Sequence, residues 1–424
     1  MSTGPRITVS PLRALITVSR SVHLDGFTPG QPVTVSATSV WHDGTTWASK
    51  ARYLADAQGH ADLAGMPLDG YAMPSPMGIV WSMRCDSASP AYPPSSTRPI
   101  TIELVARAGD VQASAELVQD FMAEGVTMRE VQEGGVCGEL YLPPGPGPHP
   151  VVVFMNGSSG GINGPRAALF AAEGYACLAL GVFNCKGRPR YITRTPLEYF
   201  ENALRWVHAT LAPKDGFVAV SGISRGGEMS LLIPSYFPDL VSAVVAYVPT
   251  SVINSTASAG HPDESRSATT WTYRGQDLPN VWEPSATADW GRAVPYKDEG
   301  VRQTPAFVST LEDPDAVARA SIPVHNIRCP VLLISAMDDG FWPSTLYCEL
   351  VARKLQSPWR RLDCVGAGHY IYYPGLPTTL VSKKHAMSGM LVSAGGAPEA
   401  NALANDVAHA AVQAFLRDVR SGAL

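Results

Sequence analysis

The chain has 424 residues and a net charge of −5, with 45% apolar and 16% charged residues. At ~150 residues per domain this allows two to three globular domains with ample core material. No basic stripe is present, which excludes the usual nucleic-acid binder, and no apolar run approaches the ~18 residues of a membrane-spanning helix.

The N-terminus, MSTGPRITVSPLRALITV, lacks a basic start, an uninterrupted apolar core and a cleavage site, so it is expected to be mature sequence. Up to about residue 120 the apolar residues alternate with period two. PVTVSATSV places Val33, Val35 and Ala37 on one face, and ITIELVARAG does the same with Ile100, Ile102, Leu104 and Ala106. Turn formers lie between, in FTPGQP, HDGTT, DAQGH and YPPSST. Short alternating strands at this spacing predict an all-β, immunoglobulin-like antiparallel sandwich over residues 1–120.

The texture changes after YLPPGPGPHP. VVVFM (Val151–Met155) is a continuous apolar strand of the kind buried on both faces of a parallel sheet. A helix (PRAALFAAEG), a strand (YACLALGVF), a helix (PLEYFENALRWVHATL) and a strand (GFVAVSGI) follow, and CPVLLISAM and RRLDCVG renew the pattern. This alternation predicts an α/β domain with a mostly parallel sheet over residues 121–424. The stretch from about Ala257 to Ser321, rich in Trp, Pro and Asp, breaks the rhythm and reads as an excursion near the site, the alternative being a long surface insertion. Its Trp271, Trp282 and Trp290 either line an acyl pocket or serve packing.

Within this domain Gly222-Ile223-Ser224-Arg225-Gly226 fits G-x-S-x-G between a strand and a helix. The motif is common by itself and gains weight from that setting. The small neighbours let helix and strand backbones nearly touch and aim the Ser224 hydroxyl out of the carboxyl edge of the sheet. A serine needs a base before it attacks, and in this fold the acid and then the histidine follow in the chain. PVLLISAMDDGFWPS offers Asp338 and Asp339 beyond a strand; Asp339 is favoured, ahead of the aromatic-Pro step, leaving Asp338 to hydrogen-bond the loop.

Of the downstream histidines, His261 precedes the acid and His325 lacks the setting. His385, in a Lys-rich loop, and His409, in a C-terminal helix, are expected to be solvated. His369, in VGAGHYIYYP, follows a strand and a Gly-rich turn, and is the expected base. For the oxyanion, one donor is the backbone N–H of Arg225. The second is expected from Asn156-Gly157-Ser158-Ser159-Gly160-Gly161, at Ser158 ahead of Gly157 and Ser159.

Cations crowd the loop from Cys185 to Arg194. Arg188 and Arg190, with Lys186 and Arg194, are candidates for binding the phosphates of a carrier arm; the alternative is a solvated surface loop. Seven singly placed cysteines without Cys-x-x-Cys fit reduced thiols in the cytoplasm, with neither a disulfide frame nor a metal site expected.

Two sets of motifs, in order, resemble the acyl-CoA thioesterases and bile acid-CoA:amino acid N-acyltransferases. GFTPGQPVTVSATSVWHDG, ARYLADAQGHADL and PMGIVWSM carry the likeness in the first half. NGSSGG, PLEYFENAL, SGISRGGE, TYRGQDLP, DDGFW and GAGHYI carry it in the second. The resemblance implies a β-sandwich followed by an α/β-hydrolase domain, with Ser224, Asp339 and His369 as the catalytic set.

Two departures bear on function. The amide-forming branch has cysteine at the nucleophile position, where this chain has Ser224, which favours water as acceptor. The peroxisomal address of many relatives is absent from RSGAL.

The expected activity is hydrolysis of acyl thioesters through an acyl-serine, without metal or organic cofactor. The carrier is coenzyme A or the phosphopantetheine arm of an acyl carrier protein. Transfer to an amine or alcohol, and carboxylester or lactone hydrolysis, are the alternatives. A non-catalytic scaffold is disfavoured because every triad position is filled. Nothing in the sequence sets the oligomeric state.

Overall fold

The computed structural model describes residues 4–87 and 90–424. Residues 1–3 and 88–89, which the expected first domain includes, lie outside them. The chain forms two compact units.

The first unit comprises residues up to Met122, together with Tyr372–Val381 and Ala397–Asp406. It holds a six-stranded sheet in the order Arg13–Leu15, Val111–Asp120, Ile100–Ala108, Pro32–Val40, Thr46–Leu54, Arg84–Cys85. A three-stranded sheet of Arg6–Ser10, Ser21–Asp25 and Ala61–Asp62 accompanies it. The period-two pattern does what it predicts. Val35 pairs with Ala106 and Ala37 with Leu104, and all four are buried while their neighbours along the strand face outward.

The pairings are antiparallel except that of Arg13–Leu15 with Val118–Asp120, which is parallel. The two late segments were not legible as part of this unit. They are held by hydrogen bonds such as Gln119 Nε2 to Gly375 O at 3.1 Å and Thr378 N to Trp81 O at 2.8 Å.

The second unit is built on an eight-stranded sheet. Its strands in chain order are β1 (Thr127–Glu133), β2 (Val136–Leu142), β3 (Val151–Met155), β4 (Ala176–Leu180), β5 (Val218–Ile223), β6 (Ala243–Tyr247), β7 (Val331–Ala336) and β8 (Trp359–Cys364). Their order in the sheet is β1-β2-β4-β3-β5-β6-β7-β8. From β4 onward all neighbours are parallel; β1 and β2 form an antiparallel edge. This is the sheet of an α/β-hydrolase.

Every residue of β3 to β7 is buried, so helices cover both faces of the sheet. They include α1 (Gly164–Ala172), α2 (Glu198–Leu211), α3 (Arg225–Tyr236) and α4 (Ser344–Ala352). The Asn163 side chain caps α1 by accepting the Arg166 N–H at 3.1 Å. The excursion after Ala257 packs into a small separate core, in which its Val281, Trp282 and Phe307 join Val252, Trp342 and Tyr347 from the flanking chain. Among the described residues no helix is long and apolar enough to cross a membrane.

Candidate active site

The parallel register aligns the carboxyl ends of the central strands. Met155 pairs with Gly222, Tyr247 with Ile334 and Ala336 with Cys364. The turns that follow β3, β5, β7 and β8 therefore open at one edge, where α/β sheets carry their sites.

Ser224 sits between β5 and α3 with φ 60° and ψ −119°, a left-handed conformation that a side chain adopts only under constraint. Its N–H donates to Tyr247 O and its carbonyl accepts the Glu228 N–H, both at 3.0 Å. The flanking glycines are required by close approach. A Cβ at Gly222 would overlap the Gly226 carbonyl, and one at Gly226 would overlap the carbonyl of Met155.

Asp339 and His369 meet in the next turns. His369 Nδ1 lies 2.9 Å from both carboxylate oxygens of Asp339, and the two residues are 3% and 7% exposed respectively. Asp339 Oδ1 also accepts the N–H groups of Phe341 (2.9 Å) and Trp342 (3.2 Å). The turns are zipped together: Asp338 N donates to Ala367 O at 2.9 Å, and Ala394 O accepts from both Gly340 N and His369 N. Phe341 stacks on the imidazole at 4.5 Å and Trp342 meets it edge-on at 5.5 Å. His369 Nε2 is buried and, among the described residues, has no hydrogen-bond partner.

Asp338, one residue earlier, points elsewhere. It pairs bidentately with Arg302 at 2.7 and 3.0 Å and accepts the Gly396 N–H at 2.9 Å. The guanidinium holds its carboxyl below the usual carboxylate range against the opposing effect of burial.

The loop after β3 reaches Ser224 through Gly157. A Cβ there would lie 3.2 Å from Ser224 Cβ. The Gly160 N–H to Gly157 O bond, 3.0 Å, closes a turn with Ser158 and Ser159 at its centre. Ser158 Oγ lies 2.9 Å from His385 Nε2. His385 is buried, and so corrects the solvated reading; His409 is half-buried, with Nε2 3.4 Å from Glu173. Lysines beside His385 in the sequence hid its inward turn.

Arg225 is locked beneath the elbow. Its guanidinium bonds both oxygens of buried Glu228 at 3.0 Å, and the carbonyls of Asn254 and Ser255. Glu228 also accepts from Trp271 Nε1 at 2.8 Å and Asn254 Nδ2 at 3.1 Å. Trp271 and Trp282 are both buried, and Trp282 stacks on Trp290 at 4.2 Å. In the sequence Glu228 stands only as the last residue of SGISRGGE, three after Arg225. Removing one partner of such a pair leaves a buried charge unmatched, so Glu228→Leu is expected to cost ~3–5 kcal/mol. Urea unfolding followed by tryptophan fluorescence checks this, and wild-type stability would show the pair to be dispensable.

The basic loop is mostly engaged. Lys186 pairs with Glu130 at 2.8 Å and Arg194 with Asp277 at 2.7 Å. Arg188 donates to Val182 O at 3.0 Å and lies over the Tyr199 ring at 3.6 Å. Arg190 is exposed, its guanidinium 5.7 Å from the Tyr191 ring.

Comparison with known proteins agrees with this architecture. The BAAT/acyl-CoA thioester hydrolase C-terminal region matches residues 195–420, and the N-terminal region of the same proteins matches residues 18–133. Human acyl-coenzyme A thioesterase 1 is 32% identical over 403 residues, spanning 92% of this chain and 90% of that protein. Human mitochondrial acyl-coenzyme A thioesterase 2 is 32% identical over 403 residues, spanning 92% of this chain and 79% of that protein. Mouse acyl-coenzyme A thioesterase 1 is 29% identical over 408 residues, 93% of this chain and 92% of its own. With its second half matched as one region and most of its length shared with these enzymes, the chain belongs to the BAAT/acyl-CoA thioester hydrolase family.

Proposed function

We propose that the protein hydrolyses acyl-CoA thioesters through an acyl-Ser224 intermediate. The observation that carries the reading is the Asp339–His369 pair, 2.9 Å apart, with His369 Nε2 left, among the described residues, without a partner at the edge where Ser224 stands. Asp339 holds the proton on Nδ1, so Nε2 has a lone pair to take the Ser224 proton. Ser224 Oγ attacks the thioester carbonyl, and the oxyanion meets the backbone N–H groups of Arg225 and of the Gly157–Ser158 turn. His369 returns its proton to the departing thiolate, then draws one from water as that water attacks the acyl-serine, and passes it to Ser224 Oγ as the acyl–oxygen bond breaks and the carboxylic acid leaves. The residues named complete this cycle without a metal or organic cofactor.

Family membership supports the thioester, and serine at the elbow supports water as the acceptor. A phosphopantetheine arm on an acyl carrier protein presents the same bond and is the second candidate carrier. All seven cysteines are free, which suits a reducing compartment such as the cytoplasm. The test is thiol release from acyl-CoA esters of graded chain length, beside matched oxygen esters and with candidate amines present. Cleavage of the oxygen esters alone would make the protein a carboxylester hydrolase, and amide products would make it an acyltransferase.

Arg190, exposed while its three basic neighbours are engaged, is the proposed contact to a carrier phosphate. Arg190→Ala is expected to raise KM for a CoA thioester about tenfold, the loss of one charge-assisted bond of ~1.4 kcal/mol, with kcat unchanged. An N-acetylcysteamine ester, which lacks phosphate, should be unaffected. Equal losses on both substrates would show that Arg190 shapes the site and does not read the carrier.

A further inference from the structure

Ser382–Lys384 pairs antiparallel with Leu391–Ser393, and His385 begins the turn between them. Its backbone is tied at both ends, N–H to Met390 O and carbonyl to Gly389 N, each at 2.8 Å. The ring is tied as well. Nδ1 accepts the Met387 N–H at 3.3 Å, and Nε2 lies 2.9 Å from Ser158 Oγ. A nitrogen that accepts carries no proton, so the neutral ring holds its proton on Nε2. Burial, with the charges of Lys383 and Arg225, pushes the imidazole down to about 4, and it is neutral near pH 7.

The Ser158 oxygen therefore accepts from His385, and the Ser158 proton is left to donate. Ser158 stands one residue beyond Gly157, whose backbone packs on the nucleophile. Its turn is braced by Asn156 Nδ2 to Gly160 O at 2.8 Å and Asn184 Nδ2 to Ser159 O at 3.0 Å.

We propose that the Ser158 hydroxyl is a third donor to the oxyanion and that His385 is its positioning residue, turning that proton toward the reacting carbonyl. The inference rests on the acyl-Ser224 reading. As Ser224 Oγ bonds to the carbonyl carbon, the carbonyl π pair moves onto oxygen and the Ser224 proton moves to His369. Ser158 keeps its own proton and shares it as a hydrogen bond that strengthens with the charge.

The test compares Ser158→Ala, Ser158→Thr, His385→Phe, His385→Gln and the Ser158→Ala/His385→Phe double variant. Two rates are read: acyl-CoA turnover, and phosphonylation of Ser224 by a fluorophosphonate. Ser158→Ala and His385→Phe are each expected to lower both rates ~100-fold at unchanged KM, the loss typical of one oxyanion donor. The double variant should be no slower than Ser158→Ala, because His385 acts through Ser158. Ser158→Thr keeps the hydroxyl and His385→Gln keeps a donor, so each should recover most of the rate that Ser158→Ala and His385→Phe lose.

A fast Ser158→Ala, losses that multiply in the double variant, or a His385→Gln as slow as His385→Phe would overturn the proposal. If His385→Phe fails to fold, Ser158→Ala against Ser158→Thr and His385→Gln decides it. Phosphonylation needs neither thiol nor acceptor. Wild type that labels but releases no thiol would refute the thioesterase reading and leave this comparison legible.

Discussion

Ser224→Ala is expected to lower thioester turnover by ~10⁶-fold, the scale seen when the nucleophile of a serine triad is removed. The remaining rate would come from binding and oxyanion donors alone. With wild type and a slowly cleaved thioester, intact-mass analysis should show one acyl group, recovered on the peptide that contains Ser224. Cys185 is the rival nucleophile, as it begins the loop after β4. Partial burial raises its thiol above the ordinary range, however, which lowers the thiolate fraction needed for attack. Recovery of the acyl group on Cys185, or an active Ser224→Ala, would overturn the serine mechanism.

Asp339→Asn is expected to cost ~10⁴-fold in kcat with the fold intact. The amide of asparagine would donate to His369 Nδ1, leaving the proton on Nε2 and no base facing the nucleophile. Asp338→Asn serves as the control one residue away. It should weaken the ties to Arg302 and Gly396 and shift the thermal midpoint, while turnover changes far less. If Asp338→Asn is the crippling change, the acid has been misassigned. Circular dichroism of both variants separates loss of chemistry from loss of fold.

What the sequence made legible follows from where the physics is local. β3, β5 and β7 read as buried strands because continuous runs such as VVVFM have no solvent face. The elbow reads from its glycines because the backbone contacts at Gly222 and Gly226 tolerate no Cβ. β1 was missed because only Val131 along it is buried, so an edge strand showed no apolar pattern. β6, the run AVVAY, is buried throughout but falls outside the βα alternation described from the sequence.

Nothing near Asp338 in the sequence shows that it pairs with Arg302, which lies 36 residues upstream. The same limit hid His385, whose partner Ser158 is 227 residues away. It also hid the two C-terminal segments of the first unit. A single-sequence pattern records neighbours along the chain, and these contacts are set by tertiary packing.

The clamp of Phe341 and Trp342 on His369 bears on the order of events in a turnover. Stacking on one ring and an edge-on contact with another restrict how far the imidazole can swing. Leaving thiol and incoming water must therefore use the same nitrogen from the same side, one after the other. Water gains its place only when the thiol has gone. Free coenzyme A then becomes a competitor of water for the acyl-enzyme, able to reverse the first half-reaction. In the proposed acyl-Ser224 cycle, turnover would then fall as free carrier accumulates relative to acylated carrier.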